Sequence, residues 1–252
     1  MSKTIVILAS LALASTAALA KDKDKVTALA AKDAAAISGK TITVTRHEKP
    51  SFTAMTAGKA GFGLFGAAAM ISAGNKIVND NAVADPADLI EQNLAPAVAK
   101  HLGAQLQSGP APIVKGGNPK ELAAAANGAD YVLDIESKGW MFAYYPADWN
   151  TYWIGYSVET NLIDAKSAKV MSKMTCYADT NKHPSSPSRD AMLANNAQII
   201  KDVTAALGWR CVHRIGEQEF AVPAADLPAT PAELVDPLAA LPPSMKTDDK
   251  KD

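Results

Sequence analysis

The sequence predicts an α/β (α+β) domain built on a single mixed β-sheet. Its expected element order is β-α-β-α-β-β-β-α, with helices packed on the sheet. Three observations predict it. An Asp-Pro and an Asn-Pro pair each open a helix between short strand-like segments. Three long β-rich segments then follow one another with only turns between them. A last segment carries apolar residues at helical spacing. Crossover helices after the first two strands, then a meander, are what a mixed sheet with helices against it needs.

The chain begins with a segment that reads as a removable leader. Residues 1–20 hold Lys3, an apolar centre from Ile5 to Leu13, and the small-x-small end Ala18-Leu19-Ala20. This predicts a signal peptide cleaved near Ala20. The expected location is therefore periplasmic or secreted. No cysteine follows the cleavage point, so the sequence predicts no lipid anchor of the bacterial lipoprotein type. Cleavage leaves 24 basic and 26 acidic residues, a formal charge of −2. That balance offers nothing to a nucleic acid, which needs a basic surplus.

Residues 21–39 read as a linker or a weak helix, rich in small residues, that ends at Gly39. Thr41 to His47 alternates β-branched residues and predicts a strand closed by Pro50. Ser51 to Ala60 does not read as a convincing strand. Asp85-Pro86 supplies an N-cap and a first-turn proline, and Ile90, Leu94, Val98 and Leu102 follow at spacing four. Pro96 inside that helix predicts a kink. Ala111–Lys115 is a short strand, and Asn118-Pro119 opens a helix that stops at Gly128. Strands are expected at 130–145, 151–164 and 169–179, joined by the loop 146–150 and the turn 164–168. Ser188 then caps a long helix with Met192, Ile199, Val203 and Leu207 on one face. The folded unit is expected over 40–220, with a glycine-rich insertion at 57–77. Residues 221–252 carry six of the 15 prolines and no aromatic residue, and read as a disordered tail with a short helix near 231–241.

Only two cysteines occur. Cys176 lies on the last strand and Cys211 four residues after Leu207, so both face the layer between sheet and helix. In an oxidising compartment this predicts a disulfide closing a loop of about 35 residues, worth about 3–4 kcal/mol. Two buried free thiols are the alternative.

Several motif matches lack their context. Gly61-Phe62-Gly63-Leu64-Phe65-Gly66 matches a dinucleotide fingerprint but has no strand directly before it. Gly39-Lys40-Thr41 lacks the first glycine of a P-loop, and Ser157 lacks the second glycine of a nucleophile elbow. His47, His101, His183 and His213 are widely spread, and none has zinc-pair spacing. No catalytic residue, metal or cofactor is therefore assigned. An envelope hydrolase would need groups such as Asp179, His183, Arg189 and Asp190 to converge in a cleft.

Two segments stand out. Ala60 to Asn75 holds no charge, and Gly58, Gly66 and Gly74 recur every eight residues. As a helix it reaches about 24 Å, short of the ~30 Å of a bilayer core. It is either a mobile or core-packed insertion, or a membrane or oligomer contact built on Gly58, Gly61, Phe62, Gly63, Phe65, Gly66 and Gly74. The second segment is aromatic. Trp140, Phe142, Tyr144, Tyr145, Trp149, Tyr152, Trp153 and Tyr156 are eight of the 15 aromatics. They predict either cross-strand packing under a helix or an exposed platform for glycan, lipid or an envelope protein partner. Trp149 and Trp153, at the loop, are the best candidates for exposure.

The element order, the strand Ala129-Asp-Tyr-Val-Leu-Asp134 and the turn Leu162-Ile-Asp-Ala-Lys-Ser-Ala-Lys169 resemble those of a group of bacterial envelope proteins. The group comprises the curli secretion-channel family, related envelope lipoproteins and the N-terminal domain of the Tol-system propeller protein. This chain departs from it in lacking the lipidated cysteine and in having Ser167-Ala168 where Thr-Gly is usual. The resemblance implies a non-enzymatic envelope assembly or transport accessory. It directs attention to the glycine-rich segment as a membrane or subunit contact.

Overall fold

The computed structural model describes residues 24–61 and 63–243. The leader, Phe62 and the charged end 246–252 lie outside the described residues. The elements are β1 (Lys25–Thr27), α1 (Ala31–Ile37), β2 (Thr41–His47), β3 (Phe52–Met55), α2 (Ala57–Ala60), α3 (Gly63–Asp80), α4 (Pro86–His101) and β4 (Gln105–Leu106). They continue with β5 (Ile113–Val114), α5 (Pro119–Ala124), β6 (Tyr131–Tyr145), β7 (Asp148–Asp164), β8 (Lys169–Asp179), α6 (Arg189–Gln218) and α7 (Ala232–Val235). One open mixed sheet runs in the order β1-β8-β7-β6-β2-β4, with β3 beside β6 and β5 beside β2.

The proline devices work as their chemistry requires. Asp85 accepts a hydrogen bond from Ala87 N at 3.0 Å to cap α4, and Asn118 accepts from Lys120 N at 2.9 Å to cap α5. Ser188 accepts from Ala191 N to cap α6. Helix α4 continues through Pro96 to His101. Helix α6 is broken at 194–197, where Asn195, Asn196 and Ala197 have positive φ. Asparagine adopts that conformation more readily than most residues. The break rotates the face, so Ile200 is buried, whereas Ile199 is only half-buried.

Helices α4 and α6 lie on one face of the sheet. Ile90, Leu94, Met192, Ile200, Val203 and Leu207 there meet Val44, Leu133, Ile135 and Val158 in the main core. A smaller cluster of Leu122, Ala126, Val132 and Ile163 sits under α5 on the opposite face. The disulfide joins Cys176 on β8 to Cys211 on α6, with a Cα–Cα distance of 5.8 Å, and ties the helix layer to the sheet.

Three regions differ from the sequence reading. First, residues 52–55 are a strand, pairing in parallel with β6 at Trp140–Ala143. Strand β2 runs along the same side of β6 at Tyr131–Asp134. Together β2 and β3 form one line interrupted around Pro50, which has no N–H to donate. What completes β3 is distant in sequence: Phe52 N donates to Asn75 Oδ1 of α3 at 2.9 Å. Second, residues 25–27 are a strand that pairs antiparallel with β8, and the helix of this region begins only at Ala31. Third, the tail is docked as far as the described residues go. Val222, Leu227 and Leu238 are buried, and Ser185 Oγ donates to Leu241 O at 3.0 Å. Apolar residues spaced between prolines find α6 and the neighbouring loop as partners, a burial the tail's own composition does not reveal.

Candidate functional site

The aromatic residues divide by register. Tyr144 faces Tyr152 and Trp140 faces Tyr156 across the β6–β7 ladder, so the two rows meet as expected. Phe52 of β3 completes the cluster, edge-on to Trp140 at 5.1 Å and to Phe142 at 5.8 Å, and Phe142 meets Tyr152 at 5.5 Å. Trp140 Nε1 donates to Pro50 O. Trp140, Phe142, Tyr152 and Tyr156 are buried, while Tyr144 and Tyr145 are half-buried. Trp153, expected at the surface, is only 7% exposed and folds against Gly155. Trp149 is 64% exposed. It lies in the irregularity where Tyr144 pairs with Tyr152 but Tyr145 with Asp148, which pushes the intervening residues out of the ladder. Its indole N–H bonds to Pro146 O at 3.0 Å, so the exposed ring is held in place.

Helix α3 has two unlike sides. Gly66, Met70, Gly74 and Val78 form a buried stripe at spacing four. A Cβ on Gly74 would stand 1.9 Å from Phe52 O, so only glycine lets the helix lie against the edge of β3. The helix thereby covers an edge that could otherwise pair with another chain. Its other side is exposed: Leu64 is 89%, Phe65 88% and Ile71 40% exposed. Gly58, Gly61 and Gly63 are exposed as well, with open space around each. Among the described residues, no helix is long and apolar enough to cross a membrane. Helix α2, not a strand, directly precedes Gly61, so the Gly61–Gly66 match lacks the strand-turn-helix setting of a phosphate-cradling loop.

Polar groups are concentrated on the sheet face opposite α4 and α6. Asp134 is fully buried and accepts from Thr45 Oγ1 at 2.7 Å, His47 Nε2 at 2.8 Å and Asn161 Nδ2 at 3.4 Å. Burial lowers the His47 pKa, but the hydrogen bond and charge of Asp134 outweigh it and raise the pKa above its ordinary value. Glu136 sits opposite Glu159, and each carboxylate is matched by a lysine, Lys138 at 2.9 Å and Lys173 at 2.8 Å. His47, Asp134 and Glu136 offer three metal-ligand atoms within 4.8 Å of one another. As they stand these atoms are committed to each other and to Thr45, Asn161 and Lys138, so the cluster is a closed polar lock. Its sequence signal was present as Thr45-x-His47 and Asp134-x-Glu136-x-Lys138, alternate residues on one strand face.

Two further acids, the half-buried Asp85 and the buried Glu219, were not legible in the sequence. Asp85 also accepts from Ser137 Oγ, which bonds Tyr156 Oη at 2.8 Å. Burial raises the Asp85 pKa, against the pull of Ser137 and of the Ala87 amide. Glu219 accepts from Thr160 Oγ1 and Ser172 Oγ, and burial pushes its pKa up to about 8.

The groups an envelope hydrolase would need are engaged separately. His183 bonds Ser185 O and pairs with Asp236 at 3.1 Å, while Asp179 accepts from Asn181 N. None of them lines the cavities beside α4. One of these, about 280 Å³, lies by Arg46, Lys49, Asp85 and Glu91. Another, about 580 Å³, is a notch in the sheet edge between α4, the end of α5 and the loop 107–112.

No protein-family model matches this chain, and no curated protein matches it. Among solved structures, it is similar to the PelC dodecamer from Paraburkholderia phytofirmans, at 15% identity over 73% of this chain and 93% of that one, with a TM-score of 0.30. The C-terminal domain of LpoB from Salmonella enterica gives 15% identity over 56% and 83%, with a TM-score of 0.26. Lipoprotein GNA1162 from Neisseria meningitidis gives 11% over 64% and 92%, with a TM-score of 0.27. These identities and scores are too low to bring any activity across to this chain.

Proposed function

We propose that this protein is an exported, non-catalytic module of the bacterial cell envelope that works by binding or assembly. The observation that supports the reading is the uncharged first half of α3, with Leu64 and Phe65 almost wholly exposed on a helix pinned along its other side. Large exposed apolar side chains on an ordered element mark an interaction surface. The leader, the resemblance of residues 38–215 to envelope accessory proteins and the separate engagement of the candidate hydrolase groups point the same way.

Topology favours a second reading, in which the same end of the molecule touches a membrane or a second copy. Strand β3 runs parallel to β6 toward the hairpin tip, and α3 runs back along β3. Leu64 and Phe65, at the start of α3, therefore lie toward the end of the sheet that carries Trp149. Expression with the native leader, followed by osmotic shock and sedimentation, separates the readings. Retention in a cross-linked envelope complex that is lost in Leu64→Ser/Phe65→Ser supports the binding module. Flotation of the purified protein with anionic vesicles supports membrane contact. A freely released monomer whose cross-linking pattern the double variant leaves unchanged overturns both.

A further inference from the structure

The notch at the sheet edge has a feature that its volume alone does not convey. Along β2, backbone groups turn alternately toward β6 and toward the opposite edge. Thr41 O accepts from Asp130 N on the β6 side. On the other side, Gln105 N donates to Lys40 O, Gln107 N donates to Ile42 O, and Arg46 N donates to Pro112 O. Val44 falls between the last two, so its N–H and C=O also turn to that edge. Among the described residues neither has a backbone or side-chain partner there. The Val44 side chain packs into the main core, and its backbone lines the notch.

The cause lies in the chain opposite. Strand β4 pairs at Thr41–Ile42 and β5 at Arg46–His47, but the loop between them is longer than the gap it crosses and bows outward. The bow leaves the notch of about 580 Å³, lined among others by Gln92, Pro96, Gln107, Pro110, Ala124 and Asn127. That volume lies in the ordinary range of ligand pockets. The Val44 N–H and C=O face the space of the notch, so a ligand that offers both an acceptor and a donor matches its floor. Its one ionisable lining residue, Glu91, is paired to Arg46 at 3.1 Å. The remaining walls are uncharged, a mixture of amide, hydroxyl and apolar side chains, and suit an uncharged occupant.

We propose that the notch binds an uncharged, extended peptide segment, one residue of which exchanges two main-chain hydrogen bonds with Val44 in the antiparallel manner. The bonds on either side of Val44 limit the pairing to that one residue, and the flanks of the peptide leave over the α4 and α5 faces. This is edge-strand recognition reduced to its smallest unit. The proposal is independent of the α3 surface.

Amide hydrogen exchange read by NMR on the full chain tests it, with acetyl-trialanine N-methylamide as the probe. Without peptide, the Val44 amide should exchange much faster than those of Thr43 and Thr45. Exchange as slow as its neighbours' overturns the proposal, because the notch is then filled by the protein itself. With peptide at about ten times its dissociation constant, Val44 exchange should slow about tenfold. No slowing, or equal slowing by trehalose at the same concentration, also overturns it. Ala124→Trp, at an exposed position on the rim, should abolish the slowing while leaving the thermal transition in place; slowing that persists in this variant puts the peptide elsewhere.

Discussion

The aromatic part of the β6–β7 hairpin, Trp140 to Tyr156, and helix α3 are both rich in apolar residues and poor in charge, and they end in opposite environments. The hairpin carries rings on alternate residues, and β3 adds Phe52 to the same face, so the rings close on each other and on the helix layer. Helix α3 carries Gly66, Met70, Gly74 and Val78 on the side that meets the sheet edge, and Leu64 and Phe65 on its exposed side. Small residues bring backbones together and leave large ones outside. An apolar segment thus reaches the core or the surface according to which of its faces holds the bulk.

The sharpest way to break that contrast is to truncate one large residue in each region. Phe142→Ala should cost about 3–5 kcal/mol in urea unfolding, because a fully buried ring leaves a cavity. Leu64→Ala should cost no more than about 0.5 kcal/mol. Equal losses would mean that α3 is covered in the folded protein.

Next in size is Gly74→Ala. The added carbon would meet Phe52 O at 1.9 Å, so the helix must lift from β3. Roughly 3 kcal/mol should be lost, while Gly58→Ala, with open space around it, should be nearly silent. Thermal melts of the two variants decide whether the glycine side of α3 is the fastened one.

The core beneath the sheet also carries a pH dependence. Burial holds the Glu219 pKa at about 8, against an ordinary 4.5. The native protein keeps a proton that the unfolded chain releases, so stability should fall as pH rises from about 4.5 to about 8 and level off above. The loss is on the order of a few kcal/mol. Glu219→Gln should flatten most of the fall. His47, Asp85 and Glu91 add to what remains, since their raised pKa values likewise give stability that is present at low pH and lost as pH rises through the folded values. A variant with an unchanged pH profile would show that the Glu219 carboxyl is solvated.

The smallest expected effect is at the turn after β7. Ala168 has a φ of +56°, a conformation glycine adopts without strain. Ala168→Gly should therefore stabilise by roughly 0.5 kcal/mol, offset in part by the greater freedom of glycine when unfolded. A loss of stability here would mean that the Ala168 side chain has a packing role.

Much of the fold was legible because its signals are local. Asp85-Pro86, Asn118-Pro119 and Ser188 start helices through hydrogen bonds to amides two or three residues on. The ladders of β6, β7 and β8 follow from alternation along each strand. The cysteine pairing was readable because the faces of one strand and one helix are each periodic. Position in the sequence could not settle the site with the same certainty. Trp149 and Trp153 are both near the hairpin turn, yet an irregularity in pairing exposes one and the other is covered.

The sequence by itself determined where elements begin, which faces of them are apolar and that Cys176 should meet Cys211. Only the tertiary structure decided that residues 52–55 are a strand, that the proline-rich tail is docked, that His47 meets Asp134 from 87 residues away, and that the outer edge of β2 at Val44 faces a notch. The reason is physical. Caps, turns and periodicity act over a few residues, so the chain announces them locally. Burial, edge pairing and unfilled hydrogen bonds depend on what a distant segment brings alongside, and that is fixed only when the layers close.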